Sequence, residues 1–321
     1  MKPKLIIGVA AAVLASCATR SSIHGQEGST AAGATEQPPP RLQSKAASRP
    51  TALRLDAASI RARLQATGEV RLAGVVIQRY DFTQGAASIE AVVVRPSGEG
   101  AVPGLVMIPG YSRTAFDMLP LALQFARARF ATVSVTQPGF GRSSGPSDFV
   151  GPRTFAALAA AARRFSAEPY VDASRLGVYG YSRGALAAAQ LATRTDLFRA
   201  AVLGGGIYDF GAAYTQISLP GITANMTEEA GMEPAAVRFR SPINDVAGLD
   251  GPVLIIHGAD DRNAPPEQAR ALAQRLVAAG RVHELILLPG KDHSLSVSDI
   301  GPVVIAFLRR HLGTVAPVRK R

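Results

Sequence analysis

The sequence has one cysteine, no tryptophan and no early apolar run long enough to cross a membrane as a permanent helix. Because Cys17 is the only cysteine among the 321 residues, no disulfide can form within the chain. The apolar run at residues 5–14 has ten residues, about half of the roughly 20 that a bilayer-spanning helix requires. The absence of tryptophan excludes no function.

Acidic residues are also scarce. The chain has 35 Lys and Arg against 24 Asp and Glu, a formal net charge of +11. Removal of residues 1–16 would delete two lysines and no acid, and 11 − 2 leaves +9. The remaining basic residues are scattered, no basic run alternates with aromatic residues, and no nucleic-acid-binding motif occurs. We therefore predict no nucleic-acid partner.

The first residues have the layout of a bacterial export signal. A basic start, MKPK, precedes the apolar run, and small residues follow it. The stretch Leu14-Ala15-Ser16-Cys17 resembles the lipobox of bacterial lipoproteins. This resemblance implies that a signal peptide, residues 1–16, is removed and that Cys17 carries a lipid anchor in the cell envelope. An alanine after the cysteine favours the outer membrane, and a secretory signal with an incidental cysteine is the alternative.

Composition divides the rest of the chain. Residues 17–52 are rich in Ser, Ala, Gly, Gln and Pro, and such a segment buries too little apolar surface to offset its ordering entropy. It is predicted to be a flexible tether. A folded domain is expected over residues 53–314, followed by a basic tail at 315–321. The hydrophobic content of 47% is typical of a chain with a sizeable core.

Within this domain, short apolar runs typical of strands alternate with longer segments typical of helices. A helix ending at Gly68 precedes two runs, 70–82 and 88–95, that predict a β-hairpin around Thr83-Gln84-Gly85. The short, continuous runs predict buried parallel strands at 105–108, 132–136, 176–179, 200–203, 253–256 and 285–288. Helices are predicted between them at 118–129, 154–165, 185–193, 266–279 and 303–312. This order indicates an α/β fold, a doubly wound and mostly parallel sheet with an antiparallel hairpin at one edge.

One interval is too long for a single connecting helix. Residues 207–250 separate two predicted strands, and a long insertion after a strand often covers a ligand site. A small helical insertion that only protects the edge of the core is the alternative.

The stretch Gly180-Tyr181-Ser182-Arg183-Gly184 follows a predicted strand and opens a predicted helix. It matches G-x-S-x-G, the sharp turn that exposes a nucleophilic serine at the carboxyl edge of a sheet. We expect the flanking glycines because a Cβ at either position would clash in so tight a turn. A polar residue in an ordinary small-residue turn is the competing interpretation of Ser182.

A serine hydroxyl needs a base that accepts its proton. Of the five histidines, His293 follows the last predicted strand and precedes the last helix, and this is the position that a catalytic base requires. The acid that orients this histidine is expected after the preceding strand. Asp261 is our choice there, with neighbouring Asp260 assigned to loop backbone or Arg262, and Asp209 is a further candidate. The chain order is then serine, aspartate, histidine.

These motifs together resemble the α/β-hydrolase superfamily, nearest the dienelactone-hydrolase-like esterases and the prolyl-oligopeptidase-type serine peptidases. The segment HGADDRNAP resembles the branch's HGxxDxxVP and implies the acid role for Asp261. The loop GFGRS at 139–143 resembles the family's GxGxS loop. The oxyanion hole is then expected from the backbone N–H groups of Arg183 and Tyr111. Many relatives have His-Gly where this chain has Pro109-Gly110, and the Tyr111 assignment rests on the matching position of this loop after its strand.

The sequence therefore predicts a serine hydrolase of carboxylic esters that works through an acyl-enzyme and needs no metal or organic cofactor. Its partner is expected to be a small-molecule ester or a related acyl substrate. A peptidase, amidase or acyltransferase with the same triad is the nearest alternative, and a non-catalytic envelope lipoprotein that keeps the fold is a further one. The sequence carries no signal for the oligomeric state.

Overall fold

A computed structural model of the protein describes residues 57–313. The predicted signal peptide 1–16, the lipidation site Cys17, the tether 17–52 and the tail 315–321 lie outside this range and stay predictions. Of the described helices, none combines the length and the hydropathy that a membrane span requires.

A nine-stranded sheet organises the described residues, with order β1-β2-β5-β7-β6-β8-β9-β10-β11. Its strands are β1 Glu69–Leu72, β2 Val75–Arg79, β5 Ala91–Pro96, β6 Val102–Ile108, β7 Ala131–Val135, β8 Val171–Tyr181, β9 Ala200–Gly204, β10 Val253–Gly258 and β11 His283–Leu288. The six strands from β7 to β11 in this order are mutually parallel, and β1, β2 and β5 are antiparallel at one edge. The predicted doubly wound, mostly parallel α/β sheet is thus confirmed.

The antiparallel edge differs in detail from the predicted hairpin. The run 70–82 contributes to three strands, β1, β2 and the start of β3, and the chain turns between β1 and β2 at Gly74, whose φ is 76°. The turn predicted at Thr83-Gln84-Gly85 instead closes a separate two-stranded sheet, β3 Phe82–Gln84 with β4 Ala87–Ile89. The antiparallel partner of β2 is β5. A continuous hydrophobic run therefore contains more than one strand where a glycine turn divides it.

Helices cover both faces of the sheet. They are α1 Ala57–Thr67, α2 Leu119–Arg127, α3 Pro152–Ser166, α4 Arg183–Arg194, α5 Phe210–Gln216, α6 Pro220–Ala230, α7 Pro234–Phe239, α8 Pro266–Ala278 and α9 Val297–Leu312. Helices α1, α2 and α9 bury their apolar sides on one face, and α3, α4, α5 and α8 on the other. The alanines of α4 are almost fully buried, so this helix lies close against the sheet.

Two elements are more extensive than the sequence pattern indicates. The interval 207–250 holds α5, α6 and α7 and a 3-10 helix, Pro242–Gly248. Helix α9 begins six residues before its predicted start, at Val297, because Ser296 and Asp299 form a capping box and the helix continues through Pro302. Both elements border the carboxyl ends of the parallel strands.

Candidate active site

The turn between β8 and α4 holds Ser182 in a strained backbone conformation, with φ 55° and ψ −125°. A Cβ on Gly180 would lie 2.0 Å from the carbonyl oxygen of Gly184, and a Cβ on Gly184 would lie 2.1 Å from that of Ile108. Only glycine fits at either position. The Ser182 N–H also donates to the Gly204 carbonyl at 2.7 Å. Main-chain packing therefore fixes this serine.

Hydrogen bonds join the serine, histidine and aspartate that the sequence selected. His293 Nε2 lies 2.8 Å from Ser182 Oγ, and His293 Nδ1 lies 2.7 Å from Asp261 Oδ2. An ionised carboxylate can only accept, so the proton sits on Nδ1 and Nε2 is free to accept the serine proton. This is the arrangement in which an imidazole activates a serine hydroxyl.

Asp261 lies in a closed environment at the end of β10, only 3% exposed. Its Oδ1 accepts the backbone N–H groups of Asn263 and Ala264, each at 2.9 Å. Burial alone would raise the pKa of Asp261, but the hydrogen bonds from His257 and His293 outweigh it, and the net pKa lies well below its usual range. The carboxylate therefore stays ionised beside the imidazole.

His257 is a contact that sequence reasoning passed over. This histidine ends β10, is fully buried, and places Nε2 2.7 Å from the Ala264 carbonyl oxygen and 3.3 Å from Asp261 Oδ2. The carbonyl can only accept, so Nε2 carries a proton and the same N–H faces the carboxylate. His257 thus supports Asp261 at Oδ2, the same carboxylate oxygen that His293 contacts.

The other candidate acids lie elsewhere. Asp209 caps the N-terminus of α5, where its side chain accepts the Ala212 N–H at 3.0 Å. Asp260 is exposed, and across residues 57–313 its carboxylate makes no hydrogen bond or ion pair. The predicted contact of Asp260 with loop backbone or Arg262 is therefore not seen.

The two predicted oxyanion donors lie beside the serine. Arg183 is the first residue of α4, so its N–H has no acceptor inside the helix. Tyr111 follows Gly110, where an added Cβ would lie 3.2 Å from Ser182 Cβ, so this loop passes directly over the serine. Among the described residues, the Tyr111 N–H has no acceptor. Both N–H groups belong to segments that border Ser182, and their role as oxyanion donors stays a prediction.

The tyrosine before the serine supports the histidine loop. The Tyr181 hydroxyl donates to the His293 carbonyl oxygen and accepts the Leu295 N–H, the latter at 3.1 Å. Burial raises the pKa of Tyr181 to about 12, so the hydroxyl keeps its proton. The pattern G-x-S-x-G leaves this position open, and the sequence therefore gave no indication of the contact.

The Arg183 side chain joins three segments around the site. Its side chain is 2% exposed and donates to Glu229 of α6 at 2.7 Å, to Ser147 Oγ at 2.7 Å and to Gln137 Oε1 at 3.2 Å. Gln137 donates in turn to the Pro109 carbonyl at 2.8 Å, which lies in the oxyanion loop. Burial lowers the pKa of Arg183 and the Glu229 charge opposes that shift. The insertion is thereby tied to the serine turn.

A cleft of about 850 Å³ opens over these groups and contacts Ser182, His293, Tyr111 and Arg183. Ile222 and Asn225 of α6 line the same cleft, so the insertion borders the site, and its role as a cap stays a prediction. Within residues 57–313, no cluster of three or more His, Cys, Asp and Glu side chains is arranged to hold a metal ion.

Comparison with known proteins identifies the family to which this chain belongs. The family model described as the prolyl oligopeptidase family, Peptidase_S9, matches residues 148–313, just over half of the chain. The chain belongs to the prolyl oligopeptidase family. Proteins of this family are serine hydrolases with the α/β-hydrolase fold, and the resemblance seen in the sequence is confirmed at that level. The matched residues include Ser182, Asp261 and His293.

Individual relatives of this prolyl oligopeptidase family chain match over part of their length. The uncharacterized peptidase YuxL of Bacillus subtilis is 31% identical over 138 residues, 40% of this chain and 20% of that protein. The uncharacterized peptidase YtmA of the same organism is 25% identical over 197 residues, 59% of this chain and 74% of that protein. The chain thus spans only about a fifth of the first relative.

Solved structures show the same fold at lower identity. The acylaminoacyl peptidase of Pyrococcus horikoshii superposes with a TM-score of 0.66 at 19% identity, over 78% of this chain and 44% of that one. An acetyl xylan esterase from Paenibacillus sp. R4 superposes with a TM-score of 0.65 at 18% identity, over 79% of this chain and 93% of that one. Peptidases and esterases both carry the fold.

Proposed function

We propose that this protein hydrolyses carboxylic esters of small molecules through an acyl-enzyme on Ser182. One observation carries the proposal: an unbroken hydrogen-bond chain from Ser182 Oγ through His293 to a buried, ionised Asp261, open to a cleft. The family assignment supports a serine hydrolase, the class to which both esterases and peptidases belong.

The proposed reaction has two halves. As His293 Nε2 takes the hydroxyl proton, Ser182 Oγ attacks the carbonyl carbon of the substrate. The resulting oxyanion accepts hydrogen bonds from the backbone N–H groups of Tyr111 and Arg183. Asp261 stabilises the imidazolium. Nε2 then returns its proton to the leaving oxygen as the carbon–oxygen bond breaks. Water, activated by the same nitrogen, repeats the sequence on the acyl-enzyme and releases the acid.

The charge of the cleft favours an uncharged substrate, such as a neutral ester, over a peptide with a free amino terminus. Of the described residues that line it, Asp117 is the only carboxylate, and it already accepts hydrogen bonds from the backbone N–H and the hydroxyl of Thr114. The Arg183 guanidinium is paired with Glu229. A peptide terminus would bring an ammonium group with no unpaired carboxylate to receive it, whereas an uncharged ester has no such need.

A peptidase is the second candidate function, favoured by the relatives that are named peptidases. Its triad and oxyanion hole would be the same, and only the leaving atom would be nitrogen. The two proposals therefore differ in substrate and agree on every residue that performs the chemistry.

The test compares esters and amides that share one acyl group. We expect kcat/KM to be higher for p-nitrophenyl butyrate than for butyryl p-nitroanilide after each is divided by its uncatalysed rate. An aminoacyl amide panel extends the comparison. If amides are cleaved faster after normalisation, the ester proposal is wrong but the assignment of the triad stands. If wild type and Ser182→Ala hydrolyse the substrates at equal rates, Ser182 is not the nucleophile.

The lipid anchor on Cys17 is a separate proposal that rests on the lipobox resemblance alone. We expect the exported protein to partition into detergent and to incorporate labelled palmitate, and Cys17→Ala to lose both properties. Unlabelled, water-soluble wild-type protein contradicts the anchor and favours an ordinary secretory signal.

A further inference from the structure

The cleft over Ser182 extends to both faces of the sheet. On the face of α3 and α4, Phe149, Ile207 and Ile222 line it, and all three belong to or pack on the apolar core of that face. On the opposite face, its wall belongs to the core under α2 and α9. We name the first part the insertion arm and the second the α2/α9 arm.

Apolar side chains form most of the α2/α9 arm, namely Met118, Leu121, Tyr179, Leu295, Val297 and Ile300. Their sequence neighbours Asp117, Ser294 and Ser296 also line the cleft. Met118, Leu121, Tyr179 and Ile300 are each less than a tenth exposed, so these side chains are fixed by the surrounding core. An apolar group that enters this arm gains the burial of its own surface without first moving the wall.

Among the buried side chains of this wall, Tyr179 carries a hydroxyl. Tyr179 is 2% exposed, and its ring packs edge-on against Phe125 at 6.3 Å between centroids. A buried tyrosine hydroxyl usually has a hydrogen-bond partner. Across residues 57–313 the Tyr179 hydroxyl has none, and the residue lines the cleft. The hydroxyl is thus an unused donor and acceptor at the wall of the arm.

The arm also adjoins the group that protonates the leaving atom. Tyr179 and Tyr181 lie on the same side of β8, about 7 Å apart along the strand. Tyr181 holds the His293 carbonyl and the Leu295 N–H, so the histidine loop begins next to Tyr179 and continues as the wall of the arm. A leaving oxygen must lie within hydrogen-bond reach of His293 Nε2. The substituent on that oxygen therefore has this arm directly beside it.

We infer that the α2/α9 arm is the leaving-group site and that it selects an apolar alcohol with one hydrogen-bonding atom that reaches the Tyr179 hydroxyl. This inference rests on the proposed ester hydrolysis and names the alcohol half of its substrates. The acyl half then occupies the insertion arm. When Nε2 gives its proton to the alkoxide oxygen, the alcohol leaves along the α2/α9 arm and water enters in its place.

A site for the leaving group affects only one half of the reaction. Acetate esters of different alcohols all form the same acetyl-enzyme, so the alcohol influences acylation, which kcat/KM reports, and has no influence on deacylation. We therefore compare acetates of n-alkanols with monoacetates of α,ω-diols of four to eight carbons. Over this range the distant hydroxyl hardly alters the reactivity of the ester.

Two filling variants separate the arms. Val297→Phe narrows the α2/α9 arm and Ile222→Phe narrows the insertion arm, and both residues are partly exposed, so both variants are expected to fold. We expect Val297→Phe to lower kcat/KM for hexyl acetate at least tenfold relative to methyl acetate. Its deacylation rate constant should change less than twofold. Ile222→Phe should instead alter the dependence on acyl length.

Tyr179→Phe tests the polar atom. In wild type, a diol monoacetate of one length should exceed the matching alkyl acetate about fivefold in kcat/KM, the effect of one net hydrogen bond. Tyr179→Phe should abolish this preference and keep the preference for longer alkyl chains. A diol preference that survives Tyr179→Phe overturns the role of the hydroxyl. An alcohol-length dependence that survives Val297→Phe overturns the arm.

Binding of the free alcohol keeps this inference distinct from the proposed function. Ser182→Ala protein has no nucleophile, and NMR titration should show that it binds hexan-1-ol. The double variant Ser182→Ala/Val297→Phe should not bind it. If the protein binds the alcohol but wild type forms no acetyl-enzyme, ester hydrolysis is contradicted. The inference that the α2/α9 arm binds an alcohol then still stands. Ester hydrolysis without alcohol binding at the arm overturns the inference alone.

Discussion

The serine and the histidine of the site are held in different ways. Residues 176–180 and 183–193, on either side of Tyr181 and Ser182, are all buried, and main-chain atoms lie against the serine turn from several sides. Around His293, none of residues 289–296 is buried. The histidine loop is instead positioned by side-chain contacts, with Tyr181 under its backbone and Asp261 at its ring.

One site thus combines a nucleophile that is fixed by packing with a base that is fixed by hydrogen bonds. Packing admits almost no substitution because backbone atoms cannot move aside. Hydrogen bonds to one carbonyl and one N–H can be removed singly, at a moderate cost. We therefore expect substitutions on the serine side to affect folding and substitutions on the histidine side to affect turnover.

The largest effect is expected from Gly184→Ala. The new Cβ would meet the carbonyl oxygens of Ile108 and Pro109 at 2.1 and 2.6 Å. We expect a loss of about 3 kcal/mol or more in the free energy of unfolding, the upper end for overpacking, together with loss of activity. Urea unfolding measures it. Gly221→Ala is the matched control, because nothing lies within 4 Å of its Cβ position. Equal stability of the two variants contradicts packing control of the serine.

Asp261→Asn should preserve the fold and remove most of the turnover. An amide N–H would face His293 Nδ1 and place the imidazole proton on Nε2, where it cannot accept the serine proton. The expected loss in kcat is about 10⁴-fold. A pre-steady-state measurement of acylation, with circular dichroism as the folding control, checks this. A loss below tenfold would show that another group orients the base.

Tyr181→Phe should have a moderate effect on kcat. It removes both hydrogen bonds of the hydroxyl to the histidine loop and keeps the ring. We expect kcat to fall about tenfold, in proportion to one or two lost hydrogen bonds, with little change in KM. Tyr80→Phe is the control, because its hydroxyl donates to Glu168 far from the site. If both variants lower kcat alike, the Tyr181 contact has no positioning role.

Glu229→Gln should have the smallest effect on kcat, as expected if packing and not polar contacts holds the serine side. It leaves Arg183, 2% exposed, without its charged partner. We expect lower stability, because a buried unpaired charge is costly, and an altered KM for substrates with long acyl groups. The exposed pair of Glu284 and Arg310 supplies the control, Glu284→Gln, with an effect on stability near zero. A large drop in kcat would show that the serine side also depends on polar contacts.

The parts of this protein that the sequence could predict are those in which a short pattern has one physical solution. The buried parallel strands and the glycines around Ser182 are of this kind, and so is the order of Ser182, Asp261 and His293 along the chain. Each can be inferred because it follows from periodicity or from a clash that only glycine avoids.

The remaining contacts join residues far apart in the sequence, and no local pattern encodes them. The Tyr181 hydroxyl reaches a carbonyl 112 residues away, and Arg183 meets Glu229, 46 residues away. The alternation of Tyr179 and Tyr181 on one strand face is visible in the sequence, but the arm above Tyr179 depends on how α2 and α9 pack. Such contacts require the tertiary structure.

The central claim is that Ser182 is a nucleophile activated by His293, and labelling with a fluorophosphonate tests it most directly. Intact-mass spectrometry of the wild-type protein should show one adduct, and peptide mapping should locate it on Ser182. His293→Ala should label at least a hundredfold more slowly, and Ser182→Ala should not label. Folded wild-type protein that takes up no label, or label on another residue, would contradict the account.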